Sequence, residues 1–208
     1  MQSNQCRHPN RKEPLVITAG FPCQDASLAN TKGAGTKGKK TALFREAIRI
    51  ARKMGSEYLV LENVPGLFIR GFEDILQELS ETGFSVWWRT ISAQALGYPF
   101  RGERVFIVAF SPAIGVGLEK MELFDEIFEE IYNKPERAKK RSNTCRKISQ
   151  YIQPENYNRL QSFDARLPEW LVKQRFRAIG NAVQPDMAEI ILLTILNFHH
   201  QIITPKTQ

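Results

Sequence analysis

Cysteine and histidine are scarce in this chain, three of each among 208 residues. Cys6, Cys23 and Cys145 are too few and too scattered for a disulfide framework or a metal knuckle, and no metal site is expected. Such cysteine usage suits a reducing, cytoplasmic setting. No apolar stretch approaches the roughly 18 residues a membrane-spanning helix needs, so no membrane association is expected. Residues 1–12 are polar and basic without an apolar core, and no secretory signal is expected there. Internal repeats and long low-complexity tracts are also missing. Acidic residues are in deficit: 22 against 29 basic ones gives a net charge of +7, which favours a polyanionic partner. The length suffices for one domain with a sizeable core, or one domain with a small appendage.

What is present centres on Leu15-Val16-Ile17-Thr18-Ala19-Gly20-Phe21-Pro22-Cys23-Gln24. The β-branched apolar run predicts a buried strand, and Gly-Phe-Pro ends it abruptly. Pro22 has no N–H to offer a neighbouring strand, so the chain leaves the sheet there. Cys23 follows at the strand's carboxyl end, where α/β sheets bind ligands. Position alone leaves two readings of it open, a small buried hydrophobe or a nucleophile. A second strand-like run, Tyr58-Leu59-Val60-Leu61-Glu62-Asn63-Val64-Pro65-Gly66, ends in an acid, an amide and a turn. Parallel neighbours would bring Cys23 and Glu62 to one edge. A thiol and a carboxyl there can attack an electron-poor ring and protonate it.

Periodicity predicts helices over 41–53 (with Thr41 as N-cap), 72–82, 119–132 and 186–198, and strands over 84–91 and 104–110. Alternating strands and helices call for an α/β sheet covered on both faces. Between residues 31 and 40, Gly33, Gly35 and Gly38 alternate with Lys32, Lys37, Lys39 and Lys40. This loop is either a solvated connection or a basic flap over a nucleic-acid backbone. Residues 134–147 concentrate Lys134, Arg137, Lys139, Lys140, Arg141, Arg146 and Lys147. Such a charge run is by default a solvated face.

Gly20-Phe21-Pro22-Cys23-Gln24, Glu62-Asn63-Val64, Arg104-Val105-Phe106-Ile107-Val108-Ala109 and Gly180-Asn181-Ala182-Val183 resemble, in order, motifs of the DNA cytosine-5 methyltransferases. The resemblance implies an incomplete doubly wound, Rossmann-like, methyltransferase-type sheet with a small recognition insertion. It implies a partial catalytic α/β domain over 1–110, a short target-recognition region over 111–161 and a C-terminal segment, 162–208, returning to the catalytic domain. By resemblance, Cys23 is the nucleophile that adds to carbon-6 of cytosine, Glu62 the acid at ring N3, and Arg104 the guanidinium that stabilises negative charge in the ring. Pro22, Asn181 and Val183 would lie against the donor, S-adenosylmethionine, and Lys139, Lys140, Arg141 and Arg146 would contact double-stranded DNA. A related branch modifies transfer RNA, so RNA stays open as a substrate. The family's Gln-x-Arg-x-Arg pattern is kept here only at Arg104, because Phe100 and Gly102 occupy its first two places; Arg101 is a second candidate for that region.

The family's donor turn, Phe-x-Gly-x-Gly and a following acid, should precede Leu15, and fourteen residues stand there without it. Three expectations follow. The chain is one half of a split enzyme of the restriction-modification type, completed by a complementary chain carrying the donor site, or a truncated, inactive remnant that binds DNA through its basic segment, or a minimal sheet that binds donor weakly alone. A thiol hydrolase built on Cys23 lacks a histidine base, since His8 lies in the lead-in and His199 and His200 in the tail.

Overall fold

The apolar strands form as their composition dictates, and β-branched and aromatic residues fill them. The computed structural model describes residues 13–22, 43–98, 101–134 and 183–203. Its sheet comprises β1 (Val16–Gly20), β2 (Tyr58–Asn63), β3 (Ser85–Ser92) and β4 (Glu103–Phe110) in the order β1-β2-β4-β3. β1 and β2 are parallel, with Gly20 level with Glu62, whereas β4 runs antiparallel to both β2 and β3. The result is a mixed, open α/β sheet, an incomplete Rossmann-like arrangement with helices on both faces. No described helix is long and apolar enough to cross a membrane.

Alternation along β2 and β4 sorts their side chains into two layers. Leu59, Leu61, Val105, Ile107 and Ala109 pack under α1 (Phe44–Met54) and α2 (Phe72–Glu81). Tyr58, Val60, Phe106, Val108 and Phe110 pack under α3 (Leu118–Tyr132) and α4 (Pro185–Ile203). Phe110, Phe124 and Phe198 meet there edge-on, with Phe110 and Phe124 centroids 5.0 Å apart. Trp87 Nε1 donates to Asp125 and Arg89 pairs with Glu129, which ties α3 to β3.

Several boundaries differ from expectation. α1 begins at Phe44, after Leu43 with no side-chain cap, and Thr41 lies outside the described residues. Leu43, which precedes the first helical turn, is exposed. In α3 Phe124 is fully buried. That helix lies inside 111–161, the stretch expected to serve recognition. Its buried face, with Phe124, Ile127, Phe128 and Ile131, packs in the core.

α4 continues to Ile203, so His199 and His200 are helical rather than a tail. His199 is buried, and its Nδ1 lies 2.9 Å from the Tyr58 hydroxyl. His200 approaches Glu13 at 3.3 Å. At the other end of α4, the Tyr98 hydroxyl donates to Asp186.

Burial lowers the His199 pKa; Glu57 opposes that, His200 adds to it and Glu13 opposes it. Folded protein therefore resists a proton that the unfolded chain accepts near pH 6.5. Stability from this group is present above that pH and is lost as pH falls through it. Denaturant midpoints at pH 7.5 and 5.5 are expected to show this fall. His199→Gln, which retains a partner for Tyr58, is expected to show a smaller difference between the two pH values.

Candidate active site

Glu62 and Arg104 come together through strand geometry. Glu62 pairs with Phe106 across the β2–β4 ladder, and Arg104 lies two residues along on the same face. Diagonal neighbours of that kind lie within reach of long side chains. Arg104 Nε stands 3.0 Å from Glu62 Oε1, with both side chains largely buried. Arg104 Nη1 also donates to the Glu103 carbonyl at 2.9 Å. Burial raises the Glu62 pKa, and the Arg104 charge opposes that rise. The carboxyl is thus disposed to hold a proton at higher pH than an exposed glutamate does.

Next to this pair, the chain leaves β1. A cleft of about 280 Å³ opens there, lined by Gly20, Phe21, Pro22, Glu62, Asn63, Val64 and Arg104. Gly20 is level with Glu62, and a Cβ at Gly20 would lie 3.2 Å from Glu62 Oε2. A side chain at residue 20 would therefore push on the carboxyl. Buried Asn63 joins the two strand tips: its Nδ2 donates to the Phe21 carbonyl at 3.1 Å, and its Oδ1 accepts from Val64 N–H at 2.9 Å. The Phe21 ring packs 6.0 Å from that of Phe44, which anchors the same exit from the apolar side.

Three expected site residues, Pro22, Glu62 and Arg104, line this one cleft. Val183 stands just before α4 and packs, partly buried, with the layer of Phe106, the sheet face that also carries Glu62 and Arg104, without lining the cleft. It shares the sheet end, since the nearby Asp186 meets Tyr98 beyond the end of β3. Cys23, Asn181, Lys139, Lys140, Arg141 and Arg146 lie outside the described residues, as does the glycine-lysine loop at 31–40. Arg101 does not reach Glu62; it is exposed and pairs with the Glu103 carboxylate at 3.0 Å. Gly20 and Asn63 were quoted in motifs but given no role. The signals were there: an amide closing an apolar strand, and a glycine ending its neighbour.

A carboxyl and a guanidinium converging at the carboxyl end of two parallel strands define a cleft where α/β enzymes bind their ligands. The sequence profile of the C-5 cytosine-specific DNA methylases matches residues 8–159. The chain belongs to that family. It is 39% identical over 107 residues to the type II methyltransferase M.Sau3AI of Staphylococcus aureus, which covers 47% of this chain and 26% of that protein. To M.BsuFI of Bacillus subtilis it is 35% identical over 105 residues, 49% of this chain and 25% of the relative. The chain thus spans about a quarter of the length of these curated relatives. Among solved structures, the Entamoeba histolytica methyltransferase EhMeth superimposes with a TM-score of 0.37 at 18% identity, over 46% of this chain and 31% of that one. Dnmt2 of S. pombe gives 0.36 at 17%, over 46% and 30%. The motif at Gly180–Val183 lies beyond the matched span.

Removing the cation by Arg104→Met leaves burial unopposed at Glu62. Carboxyl carbon NMR is expected to show Glu62 titrating at higher pH in the variant than in the parent chain. The same substitution is expected to cost about 3 kcal/mol at neutral pH, where the buried carboxylate loses its partner.

Proposed function

We propose that this chain supplies the nucleophile-and-acid half of cytosine-5 methylation in double-stranded DNA, with S-adenosylmethionine as the methyl donor. The observation that carries this is the cleft in which Glu62 and Arg104 meet beside the β1 exit, one residue before Cys23. Family membership supports cytosine as the base. Cys23 thiolate adds to carbon-6 of an extruded cytosine, which moves an electron pair toward carbon-5. Protonated Glu62 donates to ring N3 and so offsets the charge that the addition develops. Arg104 holds Glu62 in place and sets a positive charge beside the ring. Extruding the base costs roughly a few kcal/mol, offset by its fit in the cleft. A reducing cytoplasm keeps the thiol free for this step.

The described residues do not fit a donor site by themselves. Their one carboxylate in the cleft is engaged by Arg104, and no second acid faces it to take ribose hydroxyls. In this reading another polypeptide supplies the donor surface, and the free edge of β1 supports that reading. Among the described residues its outer edge has no neighbouring strand, although Val-Ile-Thr-Ala-Gly is the composition of an interior strand. A complementary polypeptide carrying the Phe-x-Gly-x-Gly donor site would pair along that edge. The divisions 1–110, 111–161 and 162–208 serve as partial catalytic domain, recognition stretch and returning segment. Within the second, Lys139, Lys140, Arg141 and Arg146 hold the DNA backbone and read base edges. Asn181 and Val183, with Pro22, face the donor.

Two measurements test this. Calorimetric titration of S-adenosylmethionine is expected to give binding only when the complementary polypeptide is added. That assembly, mixed with donor and a duplex bearing 5-fluorocytosine, is expected to form a covalent protein–DNA adduct that Cys23→Ser abolishes. An assembly that binds donor but forms no Cys23-dependent adduct overturns the mechanism. DNA binding without donor binding in either mixture supports an inactive, DNA-binding remnant instead.

A further inference from the structure

At the sheet end opposite the Glu62 cleft, where β2 begins and β4 finishes, a second and larger groove opens. It measures about 830 Å³ and is lined by α1's Arg49, Arg52 and Lys53 and by the corner that begins at Ser111 and Pro112. This volume lies within the range of small-molecule sites, about 300–1,000 Å³. Every charged residue lining it is basic. Arg49 is partly neutralised by Glu46, at 2.8 Å, but Arg52 and Lys53 make no ion pair among the described residues.

The helix end itself does not consume those charges. Gly55 N–H bonds the carbonyls of Ala51 and Arg52, and Ser56 bonds Ala51 through both its N–H and its hydroxyl. Gly55 takes the left-handed φ of 63° that makes this closure possible. Thr82's hydroxyl is likewise committed to carbonyls of α2. Ser111 differs. It is nine-tenths buried and lines the groove, its N–H donates to Glu57, and its hydroxyl bonds no described residue. A free hydroxyl donor on one wall and two unpaired cations on the other face the same space, and Phe84, Pro112 and Ala113 add apolar surface.

We propose that this groove binds a small phosphorylated ligand of mononucleotide size. Arg52 and Lys53 would hold the phosphate, the Ser111 hydroxyl would donate to it, and the ligand body would lie on Phe84, Pro112 and Ala113. A guanidinium fork suits phosphate oxygens, and the ammonium adds a point charge. The site stands at the far end of the strands from Glu62 and does not depend on the reading of the catalytic cleft.

Amide spectra of the full-length, nitrogen-15-labelled chain, titrated with pyrophosphate and with adenosine monophosphate, test this. Saturable shifts are expected at Gly55, Ser111 and Ala113, with Glu62 unmoved. Both Arg52→Gln/Lys53→Gln and Ser111→Ala are expected to weaken binding at those amides, the double variant by about tenfold or more. These substitutions lie outside the core helix faces, and unmoved spectra elsewhere report that the fold is kept. Shifts absent from these three amides, or undiminished in the double variant, overturn the proposal. A short DNA duplex that shifts them while both small phosphates do not would overturn it too, because the groove would then belong to the DNA backbone.

Discussion

Everything at the candidate site depends on β2 pairing in parallel with β1 and antiparallel with β4. The first pairing levels Gly20 with Glu62, so β1 ends beside the carboxyl. The second places Arg104 one diagonal step from Glu62 on the same face. A slip of one residue in either ladder would turn a functional group into the opposite layer, among leucines and isoleucines. Asn63 fixes the arrangement at the tip, where strand hydrogen bonds end and the backbone still needs partners.

Two opposing influences act on Glu62, and their balance has chemical content. Burial favours the neutral acid, and the guanidinium favours the carboxylate. Burial is the larger, so the carboxyl holds its proton to higher pH than an exposed glutamate does. Arg104 could not be replaced by lysine without losing the fork that serves Glu62 and the Glu103 carbonyl together.

Much of this arrangement was legible in the residues. β-branched runs closed by Gly-Phe-Pro and by Val-Pro-Gly marked two strand tips, and their alternation with helical periodicity marked an α/β sheet. The antiparallel course of β4 was not legible, because Glu103–Phe110 is apolar on both faces and such a run carries no directional signal. Arg101, the second candidate beside Arg104, lies before the first residue of β4 and pairs with Glu103 in solvent instead of reaching Glu62. His199 read as part of a polar tail because two histidines and a glutamine follow Phe198. Only the packing of α4 over Tyr58 shows it to be a buried partner.

α4 is fastened to the sheet at both of its ends, through Tyr98 and Asp186 at one and Tyr58 and His199 at the other. α3, packed beside it, is fastened to β3 in its own right by Trp87–Asp125 and Arg89–Glu129. Each of these two helices therefore carries its own polar attachment to the sheet. Loss of one such contact leaves the other helix seated, so the two ends of the layer can loosen independently.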